Sequence, residues 1–235
     1  MVSKLKKLAI GVVATSGLLF GQAAVAGLLT INLGGFICAN NAACDHDPAV
    51  NTVTVIAGTN GVPLIPGYNV ATTTSFSNNP GATGFTILDI TWTVASIGTA
   101  GGPLTILASQ TDFLFPPSGT TAILQSVCGG DILNGSVTCQ EWVNLANTLF
   151  GLGPVTPGPQ GPFTAPFSNT AFSAPYATVA PFSMTDRLIF SLGPNGTSTG
   201  DLRSITPAPT PEPATLVLVG VALAGLGFLR RRKQS

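Results

Sequence analysis

The segment that most restricts this chain is its last part, residues 211–235. It opens with a Pro-Glu-Pro tripeptide, and because each proline fixes φ and lacks an amide donor, the tripeptide cannot join a helix or the interior of a sheet. Residues 214–229 carry no charge and would span about 24 Å as a helix, slightly less than the roughly 30 Å of a bilayer core. Cations that follow such a run stay on the cytoplasmic side and can snorkel to the interface. The segment therefore predicts a transmembrane helix with a basic tail over residues 214–235, its basic stop formed by Arg230, Arg231, Arg232 and Lys233.

The order of these parts resembles the PEP-CTERM sorting signal of Gram-negative bacteria. The resemblance rests on Pro211-Glu212-Pro213-Ala214-Thr215, on the glycines spaced along the apolar run and on the terminal arginine cluster. It implies that exosortase, a multi-pass membrane transpeptidase, recognises Pro211, Glu212 and Pro213 and processes the chain for surface display. From the residues alone, a plain C-terminal membrane anchor is the alternative.

The other end of the chain predicts export. A basic stretch precedes an apolar run over residues 8–20, and an Ala-x-Ala cleavage site follows. This order is typical of a secretory signal peptide, here residues 1–26, and the short apolar run argues against the alternative of a first membrane helix. We expect signal peptidase to cleave between Ala26 and Gly27, with Ala24 as the other small residue that the site requires.

Charge is unevenly distributed along the chain. Seven of the nine basic residues lie in the two terminal segments. Residues 27–209 therefore keep two arginines against eight carboxylates, a net charge of about −6. Nucleic acid and anionic lipid headgroups both bind basic surfaces, so this balance argues against either as a partner.

Between the terminal segments, about 180 residues are enough for one domain with its own core. Short runs rich in Val, Ile, Thr and Phe alternate with period two and are bounded by Gly, Pro and Asn, which is typical of strands. We therefore predict an all-β fold, a single antiparallel β-sandwich over residues 27–205 that is jelly-roll-like or immunoglobulin-like. The predicted strands cover residues 28–33, 50–57, 68–76, 85–97, 104–109, 122–127 and 186–192.

Two local interpretations accompany this fold. Residues 98–103 predict a hairpin loop that joins strands 85–97 and 104–109 as neighbours. Apolar residues at helical spacing from Trp142 to Leu149, interrupted by asparagines, leave a short helix and an irregular strand equally open.

Prolines followed by aromatic residues mark residues 151–181. Phe163 and Phe167 could form a strip that stacks on polysaccharide, or they could lie buried against the sandwich, which the sequence favours. A second proline-rich stretch, residues 206–213, predicts an extended linker that ends in the tripeptide.

The four cysteines lie in the exported part, where thiols are oxidised. Their spacing favours two local disulfides, Cys38–Cys44 and Cys128–Cys139, although sequence alone allows three pairings. The alternative is a metal site at Cys44-Asp45-His46-Asp47, but the cysteine spacing does not fit zinc and the acidic pair lacks a calcium-loop pattern. We expect no metal and no cofactor.

No catalytic constellation is recognisable. The sequence has no nucleophile motif for which its only histidine, His46, could act as the base. The eight carboxylates between the terminal segments are scattered, although a glycosidase pair among them stays open. We expect a non-catalytic surface or matrix protein, structural or adhesive among exopolysaccharide, as the PEP-CTERM resemblance implies. A carbohydrate-binding module is the first alternative and a secreted hydrolase the second. The expected partners are signal peptidase, exosortase, transiently the inner membrane, and exopolysaccharide.

Overall fold

The computed structural model describes residues 27–81, 84–98 and 102–207, and these contain strands and no helix. All strand pairs are antiparallel, so the expected all-β class is confirmed. Ten strands form one sheet, and β7 and β11 form a small second one. The strands are β1 (Thr30–Leu33), β2 (Phe36–Ala39), β3 (Thr52–Val55), β4 (Tyr68–Ser77), β5 (Phe85–Ser96), β6 (Leu104–Phe113), β7 (Thr121–Ala122), β8 (Gln125–Asn144), β9 (Gln160–Phe163), β10 (Phe167–Phe172), β11 (Tyr176–Ala177) and β12 (Phe182–Pro207).

The predicted signal peptide, Pro-Glu-Pro tripeptide and C-terminal helix lie outside the described residues. Within those residues, no helix is long and apolar enough to cross a membrane.

The fold is organised around a long ribbon of two strands, β8 and β12. They pair along nearly their whole length, from Ser183 opposite Asn144 to Ile205 opposite Gln125. On its other edge, β12 pairs first with β6 and then with β5. The full strand order is therefore β2-β1-β6-β12-β5-β4-β3, with β8 on the free side of β12.

A bulge in the middle of β12 turns this sheet into two layers. The register with β8 shifts between Leu192 and Thr197, and Asn134 of β8 has a positive φ of 53° at the same level. Bulges bend a strand and increase its twist, so both strands of the ribbon fold over here. Residues before the bulge belong to the layer of β6 and β1, and residues after it belong to the layer of β5 and β4.

Contacts between the layers show that they lie face to face. Trp92 of β5 meets Phe190 of β12 edge to face, with ring centroids 5.9 Å apart. The Cys128–Cys139 disulfide joins the two halves of β8. The molecule is thus a sandwich whose layers are parts of one continuous hydrogen-bonded sheet.

The core forms because buried residues alternate along each strand. In β5, every second residue from Thr86 to Ser96 is buried, as expected for a strand with one face on the core. Fully burying a Leu, Ile or Phe side chain contributes about 1.5–3 kcal/mol. The largest fully buried side chains come from both layers: Leu29, Ile31, Leu33, Leu88, Ile90, Ile106, Phe113, Leu124, Phe182, Met184 and Phe190, together with Tyr68.

A close approach of strands requires glycine at residue 200. A Cβ added to Gly200 would lie 2.2 Å from the carbonyl oxygen of Gly129 and 2.6 Å from the Trp92 ring. The Gly129-Gly130 pair has the composition of a turn but lies inside β8 for the same reason: a Cβ on Gly130 would lie 2.3 Å from the Thr199 carbonyl oxygen. These glycines allow the ribbon to pack tightly and do not interrupt it.

Two further predictions need correction, and one alternative that the sequence leaves open is decided. β5 and β6 are not a hairpin pair, because β12 lies between them in the sheet. Trp142 and Val143 belong to β8, and the chain turns after Asn144 without forming a helix. Thr206 and Pro207, assigned to the linker, are the last residues of β12 and pair with β5.

The proline-rich segment closes the free edge of β8. β9 pairs with β8 at Val137 and Cys139, and β10 pairs with residues 125–130 of the same strand. The segment is therefore part of the sheet.

Candidate functional site

Some of the predicted site residues lie within the described part of the chain, and others lie outside it. The sorting tripeptide Pro211-Glu212-Pro213, the basic stop 230–233, and Ala24 and Ala26 lie outside the described residues. Gly27, the expected first mature residue, is described, and its carbonyl oxygen accepts a hydrogen bond from Gln110 Nε2 at 2.7 Å. The four cysteines form two disulfides, Cys38–Cys44 and Cys128–Cys139.

The loop around His46 holds its polar groups together internally. Asp45 Oδ1 accepts hydrogen bonds from the backbone amides of Asp47 and Thr54, each at 2.9 Å. His46 Nε2 lies 2.8 Å from Thr59 Oγ1. The first of these bonds closes a turn, and the other two tie the loop to residues 54 and 59. Across the described ranges, no group of three or more His, Cys, Asp or Glu side chains could hold a metal ion.

The aromatic pair of the proline-rich segment stacks on itself. The Phe163 and Phe167 rings are nearly parallel, 6° apart, with centroids separated by 4.2 Å. Both rings are partly buried and pack against the core. One face of each ring is thus covered by its neighbour, which leaves little free aromatic surface for a sugar.

The most unusual cluster of the described residues is a pair of buried carboxyl groups. Glu141 of β8 lies directly opposite Asp186 of β12 in the register, and neither side chain is exposed to solvent. Carboxyl groups are almost never fully buried without partners. The pair therefore marks the site at which the core departs most from an ordinary apolar interior.

Two serines from the opposite layer face this pair. Ser126 Oγ donates a hydrogen bond to Glu141 Oε1, and Ser204 Oγ donates one to Asp186 Oδ1. Both serines are fully buried. The other carboxyl oxygen of Asp186, Oδ2, is buried and has no hydrogen-bond partner among the described residues.

A chain of side-chain amides links Glu141 to the edge of the sandwich. Gln160 of β9 donates through Nε2 to Ser126 Oγ, and the same nitrogen lies 3.4 and 3.5 Å from the two oxygens of Glu141. Asn169 of β10 donates to Gln160 Oε1 at 2.6 Å. Asn169 is only half-buried, so the polar chain reaches from the surface into the core.

Burial changes the protonation of both acids. Desolvation raises the pKa of Glu141 from 4.5 to about 7, although hydrogen bonds from Ser126 and Gln160 oppose the shift. Desolvation, with repulsion from Glu141, raises the pKa of Asp186 well above its usual value. Glu141 is therefore able to accept and to release a proton near neutral pH.

The two arginines of the described residues lie outside this cluster. Arg203 pairs with Asp89 at 2.8 Å, and Arg187 covers the Trp142 ring with its guanidinium carbon 4.7 Å from the centroid. No cation thus offsets the charge of the buried acids.

Sequence reasoning missed this cluster because it treated the eight carboxylates as scattered. The signal was nevertheless present in the alternation. Glu141 follows Val137 and Cys139 at spacing two, and Asp186 precedes Leu188 and Phe190 in the same way. An acid at an inward-facing position of an apolar strand is a buried acid.

Comparison with known proteins bears on the terminal segment. Residues 209–233 match the family model of the PEP-CTERM protein-sorting motif. The chain carries a PEP-CTERM sorting motif. A chain with this motif is an exported, membrane-anchored precursor that exosortase processes and that is sorted to the cell surface.

The remaining comparisons are distant. No curated protein matches the chain. The enzymatically active domain of tailspike protein 4 from bacteriophage CBA120 aligns at 8% identity and a TM-score of 0.30, covering 61% of this chain and 20% of the tailspike chain. A protein described under carbohydrate-binding modules of the β-sandwich superfamily aligns at 10% identity and a TM-score of 0.29, covering 80% of this chain and 86% of that one. The chain spans about a fifth of the tailspike chain, and at these TM-scores neither likeness bears on function.

Proposed function

We propose that this PEP-CTERM protein is a non-catalytic structural or adhesive component of the surface or exopolysaccharide matrix of a Gram-negative bacterium. The observation that carries the proposal is the sorting motif at residues 209–233. This motif implies sorting to the cell surface, which supports a role outside the cell.

The connection between the domain and the motif supports a mechanical role. The motif begins two residues after the end of β12, a strand that is hydrogen-bonded on both edges. A pull on the C-terminal segment therefore acts on a central strand, which cannot peel away as an edge strand can.

The position of the acids supports a non-catalytic role. Glu141 and Asp186 are the closest match to a catalytic carboxyl pair, but both are fully buried. A polymeric substrate could not reach them without opening the sandwich. The purified protein should release neither sugars nor acyl groups from matrix polysaccharide, and turnover that Glu141→Gln or His46→Ala abolishes would overturn the non-catalytic assignment.

The sorting step is tested by Glu212→Ala in the full chain. If exosortase reads the tripeptide, the variant folds normally and stays in the inner-membrane fraction, while the wild type reaches the surface. Asp131→Asn, which removes an exposed carboxylate outside the motif at residues 209–233, is the matched control and should be sorted like the wild type. Location is measured by fractionation and immunoblotting, and folding by the resistance of the domain to protease. Surface delivery of Glu212→Ala at the wild-type level would contradict this reading.

The matrix role has its own measurement. Cells that lack the protein should form weaker flocs or biofilm, and the wild-type gene should restore them. Complementation with Glu212→Ala should fail, because the domain is present but does not reach the matrix. Restoration by that variant would show that surface delivery is not needed for the role.

A further inference from the structure

Ser126 occupies a position that its structural role alone does not require. Its hydroxyl group contacts a carboxyl group on one side and a carboxamide on the other: Oγ donates to Glu141 Oε1 and accepts from Gln160 Nε2. All three side chains are buried. A nucleophile, a base and an electrophilic carbonyl carbon are thus packed together away from water.

The carbonyl group of Gln160 is also activated. Asn169 donates a hydrogen bond to Gln160 Oε1 at 2.6 Å. A donor on this oxygen stabilises the negative charge that develops there when a nucleophile attacks the carbon. The site therefore has the parts of an acyl-transfer centre, with Gln160 as the acyl donor.

We propose that Ser126 and Gln160 form an intramolecular ester cross-link between β8 and β9. Ser126 Oγ attacks Gln160 Cδ, and Glu141 takes the hydroxyl proton. The Oγ–Cδ bond forms, the Cδ–Nε2 bond breaks, and the proton held by Glu141 passes to the leaving nitrogen. The products are one ester and one molecule of ammonia, and no oxidant or other reactant is required.

The surroundings of Glu141 suit this proton transfer. Burial raises the pKa of Glu141 to about 7, so the group can both accept and return a proton near neutral pH. Asp186 lies opposite on the neighbouring strand and, as an acid, supplies no cation that would hold Glu141 permanently ionised. Burial also protects the ester from hydrolysis, because water is excluded from the site.

The molecule contains a matched site without the electrophile. Ser204 is buried and donates to the buried Asp186, just as Ser126 donates to Glu141. No side-chain amide contacts Ser204 Oγ among the described residues. Ser204 is therefore a control for a serine that is paired with a carboxyl group but has no acyl donor.

The chain offers a simple test, because Glu141 is the only glutamate between residues 27 and 209. The purified full chain is denatured, reduced and cleaved by a glutamate-specific protease. The cut after Glu141 separates Ser126 from Gln160, and both disulfides lie on the N-terminal side of it. Glu212 is followed by Pro213, which blocks cleavage there, so the C-terminal segment stays on the second fragment of every sample alike.

With the cross-link, the two wild-type fragments remain joined, and the mass of the joined product is lower by one ammonia than the sum of the fragments. Hydroxylamine should separate them, because it cleaves esters and leaves ordinary amides intact. Ser126→Ala and Gln160→Met, neither of which adds a cleavage site, should yield two free fragments without ammonia loss. Ser204→Ala should stay joined.

Two free wild-type fragments of unmodified mass would overturn the proposal. So would joined fragments that resist hydroxylamine, since they would indicate a different bond. Both outcomes are read from the wild type itself, so the test stands even if Ser126→Ala does not fold.

Discussion

At the scale of single residues, Glu141 and Asp186 determine how the domain responds to pH. They lie opposite one another on adjacent strands, away from solvent, with no cation beside them among the described residues. Ionising both would place two negative charges in a medium of low dielectric constant. At least one of the two therefore keeps its proton in the folded state at neutral pH.

The first prediction is that the domain loses stability as pH rises. Unfolded Glu141 releases its proton near pH 4.5, but folded Glu141 holds it up to about pH 7. The folded state thus binds more protons between these values, and its advantage is complete below pH 4.5 and lost as pH rises through about 7. The free energy of unfolding should fall by roughly 3 kcal/mol across this window. The raised pKa of Asp186 acts in the same direction.

Glu141→Gln isolates this effect. The neutral amide cannot ionise, so the variant should show a flatter dependence of unfolding free energy on pH, measured by urea denaturation. Asp131→Asn, which replaces an exposed carboxylate on the same strand, should keep the wild-type slope. An unchanged slope in Glu141→Gln would assign the pH dependence to other groups.

At the scale of elements, the sequence predicted individual strands better than their partners. The strand predicted over residues 85–97 matches β5, in which every second residue from Thr86 to Ser96 is buried. β8 and β12 were only partly recognised, because Gly129, Gly130 and Gly193-Pro194-Asn195-Gly196 have the composition of turns. In the structure these residues are a close approach and a bulge, and only the packing of distant strands distinguishes such features from turns.

The same limit explains the failed hairpin. Local sequence suggests that β5 and β6 pair, because sequential strands usually do. β12, far along the chain, inserts between them. The buried acid cluster depends on this insertion too. It forms only when the two acids of one layer meet the two serines of the other layer and Gln160 of β9. The alternation identifies which residues face inward, but it does not identify which residues they face.

A second prediction concerns the ribbon. Gly200→Ala should lower the free energy of unfolding by about 1–3 kcal/mol or more, because the added methyl group has to displace a backbone carbonyl and a buried ring. Thermal or urea unfolding measures the loss. Gly102→Ala is the matched control, since a Cβ there meets nothing within 4 Å. Equal stability of the two variants would show that β8, β12 and the Trp92 ring do not pack closely at Gly200.

At the scale of the whole molecule, the positions of the trypsin cleavage sites test whether β12 lies at the centre of the sheet. Arg187 and Arg203 are the only trypsin sites between residues 27 and 209, and both lie in β12. A protease has to draw its substrate out of the sheet, and β12 is paired on both edges. The folded protein should therefore resist cleavage at both arginines, as measured by mass spectrometry of the digest.

Denaturation in urea supplies the control for this prediction, because both sites should then be cut. The resistance should also fall as pH rises through neutrality, in step with the loss of stability expected from Glu141. Rapid cleavage at Arg187 or Arg203 without denaturant would contradict the central position of β12.

The place of β12 in the chain has a consequence for biogenesis. Strands β1 to β4, which precede it, occupy the margins of the sheet, and β12, which pairs with both β6 and β5, comes last. When a polypeptide passes through a translocon from its N-terminus, β12 emerges only at the end of translocation. Neither layer can close before then, since each lacks its central neighbour. Export from the N-terminus thus keeps the chain unfolded enough for translocation until just before the sorting motif emerges. The domain then completes its fold beside the membrane, where exosortase acts.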